Sequence, residues 1–256
     1  MPAEFSNVYD DNARAKAYAE LEFPATYYLA YRDLPAIIGA PVRGQKALDF
    51  GCGAGRSTRF LRAMGFDAVG VDISEPMIAR AHALDPEGKY HLVRDGDFGE
   101  VAADTYDLVL SAFTFDNVPT REKKVALLTS LARLLTSGGR IVNLVSSPDI
   151  YMNEWASFST RDFPENRTAR SGDKVLITML DVEDRRPVED ILWTNDDYLD
   201  VYERAGLTLL QTYRPLAKPS EDFAWVSETA IAPWVIYALG PAGSRARGDR
   251  TFSPAG

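Results

Sequence analysis

The chain is 256 residues long, 46% hydrophobic and 25% charged, with 37 acidic against 28 basic side chains and a formal net charge of −9. That length supports one large α/β domain with an insertion, while the acidity argues against a nucleic-acid surface, which leans on clustered Lys and Arg. No apolar run approaches the roughly 20 residues of a membrane helix, and the amino terminus lacks the basic, apolar and small-residue pattern of an export signal, so a cytoplasmic protein without membrane partners is expected.

In chain order, Asp10 to Leu21 is rich in Ala, Lys, Glu and Arg and predicts a helix, and Ala25 to Ile38 predicts a second after the break at Pro24. This leading segment carries Tyr9, Tyr18, Tyr27, Tyr28 and Tyr31. Tyrosines there either cover apolar surface or reach a ligand. Next comes Lys46-Ala47-Leu48-Asp49-Phe50, a short apolar run ending in Gly51-Cys52-Gly53-Ala54-Gly55, the pattern of a buried parallel strand turning tightly into a helix. Cys52, the single cysteine, has no internal disulfide partner, and with His82 and His91 it offers no metal-ligand spacing, so no metal is expected.

A second strand ends Ala68-Val69-Gly70-Val71-Asp72. It leads through Ile73 and Ser74, a capping residue, into a helix opening Glu75-Pro76-Met77. Asp72 at a strand end is placed to accept hydrogen bonds from a ribose hydroxyl pair. Tyr90 to Val93 reads as a third strand followed by Arg94-Asp95-Gly96-Asp97-Phe98. A fourth, Tyr106 to Leu110, runs into Ser111-Ala112-Phe113. Phe113 to Pro119 lies on the same sheet edge, where Asp116 is either a substrate contact or part of the next helix's cap. A helix from Arg121 to Leu135, the turn Thr136-Ser137-Gly138-Gly139 and a fifth strand, Arg140 to Val145, complete a βα alternation that implies a parallel sheet with its ligand at the strands' carboxyl ends.

From Ser146 the pattern changes. Lys174 to Asp181 and Val188 to Thr194 read as an antiparallel hairpin around the charged turn Glu183-Asp184-Arg185-Arg186. Asn195 to Ala205 predicts a helix closed by Gly206, Leu207 to Tyr213 a sixth strand, and Ser227 to Leu239 a seventh, antiparallel one. The segment from Gly240 to Gly256 lacks periodicity and is expected to be disordered. The expected fold is therefore α/β, Rossmann-like, with a seven-stranded, mostly parallel sheet, helices on both faces, an N-terminal helical cap (1–44), a core (45–145), an insert (146–194), a completion of the sheet (195–239) and a tail (240–256).

A dinucleotide turn needs Gly-x-Gly-x-x-Gly. Here the third glycine follows one intervening residue, and Asp49 precedes the first. Asp49-Phe50-Gly51-Cys52-Gly53-Ala54-Gly55 instead resembles motif I of the class I S-adenosylmethionine (SAM) dependent methyltransferases, and Leu135-Thr136-Ser137-Gly138-Gly139 resembles another hallmark of that family. The resemblance covers Lys46 to Val145. It implies cofactor contacts from Asp49, Gly51, Cys52, Gly53, Gly55, Asp72, Ile73 and Met77, from Asp95 (on the adenine amino group) with Gly96, Asp97 and Phe98, from Ser111 and Ala112 beside the methionine end, and from Tyr9 or Tyr28 in the leading helices. It also implies that the insert supplies the acceptor pocket, with Phe113, Phe115, Asp116, Trp155 and Trp193 as candidate substrate contacts and Phe158 and Trp225 as further aromatics nearby.

A narrower resemblance is to bacterial N-methyltransferases of heteroaromatic natural products such as toxoflavin. The implied activity is methyl transfer from SAM, leaving S-adenosylhomocysteine, to N or O of a small aromatic or heteroaromatic acceptor in bacterial-type secondary metabolism, by a monomer or homodimer. A sulfonium methyl needs little beyond alignment and exclusion of water, so no catalytic base is assigned. Two alternatives use the same pocket: aminocarboxypropyl transfer or cyclisation to azetidine-2-carboxylate with release of methylthioadenosine, and SAM binding without catalysis.

Overall fold

A computed structural model describes residues 23–39, 45–94, 97–103 and 105–244. Helices α1 (Ala25–Arg32) and α2 (Leu34–Ile38) precede an alternation of β1 (Lys46–Phe50), α3 (Arg56–Ala63), β2 (Asp67–Asp72), α4 (Glu75–Leu84), β3 (Lys89–Leu92), β4 (Tyr106–Ala112), α5 (Arg121–Arg133) and β5 (Leu135–Ser146). Three short strands follow, β6 (Phe158–Ser159), β7 (Lys174–Met179) and β8 (Val188–Ile191), then α6 (Asn195–Arg204), β9 (Leu207–Tyr213) and β10 (Trp234–Pro241). The seven-stranded sheet runs β3-β2-β1-β4-β5-β10-β9, with β10 antiparallel to both neighbours, and β6-β7-β8 form a separate antiparallel sheet. No helix among the described residues is long and apolar enough to cross a membrane.

The central strands are buried on both faces because helices cover both, and they read as unbroken apolar runs. Alternation sorts their side chains between two cores. Leu108 and Leu110 of β4 and Val142 and Leu144 of β5 pack with α1, α2 and the small sheet. Val109, Ile141 and Val145 pack with Leu127, Leu128 and Leu131 of α5 and Val201 of α6. Leu48 sits opposite Val69 on one side and Val109 on the other, which fixes the register in which β1 delivers its glycine turn.

Among the boundaries that differ from the sequence expectation, three have a clear local reason. The helix expected over 25–38 is broken at Asp33, because Pro35 has no N–H for the carbonyl of Tyr31. Strand β5 starts at Leu135, before the Gly-Gly pair, with its register against β4 shifted between Tyr106 and Leu108. A Cβ on Gly139 would lie 2.7 Å from the Tyr106 carbonyl oxygen, so that close strand approach needs glycine. Strand β10 begins at Trp234, not Ser227, because residues 227–233 turn to carry Glu228 inward, and Pro233 has no N–H to pair. The tail expected from Gly240 starts later, because Gly240 and Pro241 pair with Thr208 and Leu207 as the end of β10, while residues 245–256 and the helix expected over 10–21 lie outside the described residues.

Glu228 ties α1 to the body. Its fully buried carboxylate accepts from the Thr26 hydroxyl at 2.6 Å and from the backbone N–H of Ala156 and Val226, each at 2.8 Å. Thr26 and Ser157 exchange backbone-to-hydroxyl bonds at 3.1 and 3.0 Å, and the Trp234 indole donates to the Thr26 carbonyl at 2.8 Å. A buried donor left without its acceptor costs about 1–3 kcal/mol. Glu228→Ala is therefore expected to lower unfolding free energy by about 3 kcal/mol in urea titrations, whereas a loss below about 1 kcal/mol would show that α1 is held by its apolar face alone.

Candidate functional site: two hollows at the carboxyl edge of the sheet

Beyond the ends of β1, β2 and β4 lie two hollows. The first, about 360 Å³ counting its mouth, is lined by the turn 51–54, Arg56, Ser57, Tyr31 and Ala112. The turn is anchored from below and from the side. Asp49, buried in β1, accepts from the hydroxyls of Ser57 and Thr58 at 2.6 Å each, locking the start of α3 to the strand. Burial pushes its carboxyl up to about 6, and the two hydroxyls pull the other way. Its Oδ1 has no hydrogen-bond partner among the described residues, leaving an acceptor beneath the turn. The N–H groups of Gly51 and Cys52 donate to the Val71 carbonyl at 2.8 and 3.0 Å. Asp72 faces back across the crevice, its Oδ2 accepting from Gly53 N–H at 2.8 Å and its Oδ1 from Ser74 N–H at 2.9 Å.

The glycines have separate duties. Gly51 (φ +74°) would place a Cβ 2.1 Å from the Thr114 hydroxyl, and Gly55 would place one 2.7 Å from the Tyr90 hydroxyl, so both make room for packed neighbours. Gly53 (φ +53°) would meet nothing within 4 Å. Its missing side chain is open space on the hollow's floor. Cys52 is buried with Ile78, Ala81 and Tyr90, and burial with Asp49 nearby pushes its thiol well above the usual range. Arg56 stands at the rim with its guanidinium 5.1 Å from the Tyr27 ring, 5.5 Å from Tyr31 and 5.7 Å from Phe23. Arg56 and the N-terminal end of α3 together make this edge of the hollow electropositive.

The second hollow, about 440 Å³ counting its mouth, is walled by Tyr27, Phe113, Phe158 and Trp234, with Met179, Ile177 and Val188 from the small sheet. Phe113 and Trp234 meet at 4.7 Å between centroids, and Tyr27 and Trp234 stack at 5.9 Å. The two hollows share a wall. Tyr27 and Tyr31, four residues apart on one face of α1, line one each, as do the consecutive residues Ala112 and Phe113, where the chain bends through φ +65° at Phe113.

Two carboxylates enter the second hollow, Asp116 and Asp190. Asp116 is buried and fixed by Ser146 N–H at 3.0 Å, with the Tyr198 hydroxyl at 3.5 Å. Asp190 is partly exposed and accepts from the Tyr151 hydroxyl at 3.0 Å. Beneath them Lys124 is fully buried, donating to the Phe115 carbonyl, with its ammonium 4.9 Å from the Trp193 ring and 5.3 Å from Tyr198. Burial raises both carboxyls, Asp116 further by the charge of Asp190, and lowers the lysine, while Lys124 acts on both acids in the opposite sense.

The site residues expected from sequence divide accordingly. Gly51, Cys52, Gly53 and Ala112 line the first hollow, and Phe113 and Asp116 the second. Ile73 is half exposed beyond Asp72, and Met77 is buried in the first turn of α4. Asp97 is exposed, capping Gly99 N–H. Tyr9, Asp95 and Gly96 lie outside the described residues.

Several expectations are corrected. Tyr28 packs on Phe223 at 5.2 Å, because it is about 100° round α1 from the face that carries Tyr27 and Tyr31. Ser111 is buried on the Val109 face of β4, opposite Ala112. Phe98 and Phe115 pack on Phe50 at 6.0 and 5.6 Å, inside the core on that same face. Trp155 is buried with its indole donating to the Ile150 carbonyl, and Trp193 packs over Lys124, so neither lines a hollow. Trp225 packs on Phe223.

Sequence reasoning missed Tyr31, Arg56, Lys124, Tyr151, Asp190 and Trp234. For Asp190 a signal existed: in Val188-Glu189-Asp190-Ile191-Leu192 it takes the inward position between Val188 and Leu192, where an acid is out of place.

Residues 48–143 match the methyltransferase domain family. The cypemycin N-terminal methyltransferase of a Streptomyces species is 40% identical over 106 residues, covering 39% of this chain and 41% of that relative's length. A ubiquinone biosynthesis O-methyltransferase of Thiobacillus denitrificans is 28% identical over 196 residues, 70% of this chain and 73% of that one. Among solved structures, the CcbJ methyltransferase of Streptomyces caelestis superposes with a TM-score of 0.58 at 18% identity, over 89% of this chain and 96% of its own. Strand order, glycine turn and sequence match agree in making residues 48–143 similar to the methyltransferase domain family, and the chain spans less than half the length of the cypemycin relative it matches.

Proposed function

We propose that the chain transfers a methyl group from SAM to nitrogen or oxygen of a small molecule seated in the aromatic-walled hollow. The observation that carries this reading is the shared wall: Tyr27 with Tyr31, and Ala112 with Phe113, put an acceptor hollow directly beside the glycine-turn hollow. SAM is the cofactor of the domain family, and when bound it supplies an electrophilic methyl whose carbon–sulfur bond breaks as the acceptor bonds to carbon.

The residues of the first hollow fit that cofactor. Gly53 leaves the floor open for it, Arg56 and the start of α3 suit its carboxylate, and Asp72 stands at the strand end where ribose hydroxyls are held. In the second hollow, ring faces and methyls exclude water and align a flat or compact acceptor. The same reading makes the partner a small molecule of bacterial-type secondary metabolism, with neither nucleic acid nor membrane involved, and the setting cytoplasmic.

Two experiments test it. Incubated with SAM and a panel of aromatic amines, phenols and alkylamines, the protein is expected to release S-adenosylhomocysteine, while methylthioadenosine as the sole product would assign it to aminocarboxypropyl chemistry. Gly53→Ala is expected to fold with a cost of about 1–2 kcal/mol from its left-handed backbone and to bind S-adenosylhomocysteine at least ~10-fold more weakly, because the new methyl enters the hollow. Gly51→Ala collides with Thr114 besides, so its melting temperature is expected to fall much further; equal melting with equal binding in both variants would remove the turn from the site.

A further inference from the structure

Resting on that reading, a charge imbalance in the acceptor hollow narrows the substrate class. Its lining carries Asp116 and Asp190 and no Lys or Arg among the described residues. Beneath the lining, Lys124 acts on both acids. Neighbouring charges are matched elsewhere: Arg121 with Asp197 and Asp200, and Glu189 with Lys174 at 2.7 Å. The hollow's own surface therefore presents two acids with no facing cation, since Lys124 lies beneath the lining and donates to the Phe115 carbonyl. The walls beside these acids are the ring faces of Tyr27, Phe113 and Trp234, which attract cations.

We propose that the acceptor is a primary or secondary amine that enters as its ammonium, held between these ring faces and the two carboxylates, with Asp190 taking the proton that frees the nitrogen lone pair. The carboxylates divide the work by their partners. Asp116 is immobilised by Ser146 N–H, with the Tyr198 hydroxyl also near, and serves as a fixed hydrogen-bond acceptor. Asp190 has one hydroxyl partner, Tyr151, and is the acid that opens to the hollow. The step balances: a nitrogen-bound proton moves to Asp190, the freed lone pair forms the new N–C bond as the methyl's S–C bond breaks with its electron pair left on sulfur, and the product is again an ammonium facing the carboxylates. Burial, which raises both carboxyls, brings Asp190 toward the range in which a carboxyl holds a proton near neutral pH. Lys124, Tyr151, Tyr198, Tyr202, Tyr237 and Glu189 are the titratable groups around the pair among the described residues.

The test is binding of matched probes at neutral pH in the presence of S-adenosylhomocysteine, using 2-phenylethylamine against 2-phenylethanol and cyclohexylmethylamine against cyclohexylmethanol, read by calorimetry on the full chain. Each amine is expected to bind at least ~10-fold more tightly than its alcohol. In Asp190→Asn that preference is expected to fall to within about 2-fold while S-adenosylhomocysteine binds as in the wild type, and Asp190→Glu is expected to restore part of it. Equal binding of amine and alcohol, binding of neither, or an unchanged preference in Asp190→Asn overturns the proposal. Failure of the wild type to bind S-adenosylhomocysteine would instead overturn the methyltransferase reading, so the two failures are separable. If Asp190→Asn does not fold, Tyr151→Phe carries the test: loss of the hydroxyl that favours the charged carboxylate pushes Asp190 further toward its neutral form, so the amine preference at neutral pH is expected to shrink, and an unchanged preference overturns the proposal.

Discussion

The position of every ligand-facing group depends on how one buried carboxylate closes the first strand onto the first crossover helix. Asp49 accepts two hydroxyl bonds of 2.6 Å from consecutive residues, Ser57 and Thr58. Successive residues at a helix start point about 100° apart, so one acceptor serving both fixes the helix in rotation as well as in position. The five-residue turn between them has little freedom left. It is then pulled sideways by the Val71 carbonyl and by Asp72, so that β2 sets its height above the sheet. Gly70 allows this closeness, since a Cβ there would lie 2.6 Å from the Thr58 hydroxyl and 2.9 Å from Cys52 sulfur.

A fixed turn makes one hollow, and it takes α1 to make two. That helix is short, eight residues with no side-chain cap, and too brief to persist alone. Its place is set by burial of Leu29, Ala30 and Tyr31 and by the Glu228 knot. Tyr27 is thereby brought against Phe113, Phe158 and Trp234, and Tyr31 against the turn. The same four-residue spacing that makes the helix amphipathic divides the cofactor side from the acceptor side. Arg56, lying over both tyrosine rings, spans the division.

What the sequence made legible follows from how local each determinant is. The βα alternation and the glycine turn are written in stretches of five to ten residues, and they read correctly from pattern alone. Tyr31 was hidden because Tyr27 and Tyr28 stand together, and only the helix's orientation on the sheet decides which faces inward. Trp155 and Trp193 were misplaced for the opposite reason: a tryptophan's size says that it is buried, not which side of the sheet buries it. Lys124 and Asp190 lie 66 positions apart by numbering and on different elements. Their proximity is a product of β8 packing onto the Thr114–Asn117 turn after β4, a contact that no short window contains.

That packing bears on why the acceptor side is polar at its base. Filling the same volume with Leu and Phe would raise stability, because buried ion pairs commonly do no better than well-packed apolar replacements. The chain instead keeps a lysine and two acids where desolvation works against all three. Such a cluster weakens the fold unless something in the molecule's task compensates. The aromatic walls can exclude water and align an acceptor without it, and under the amine proposal the charges answer to the acceptor's own charge. Ring faces then provide shape while the carboxylates provide sign, and the two requirements converge where Phe113 turns the chain from the cofactor's hollow into its neighbour.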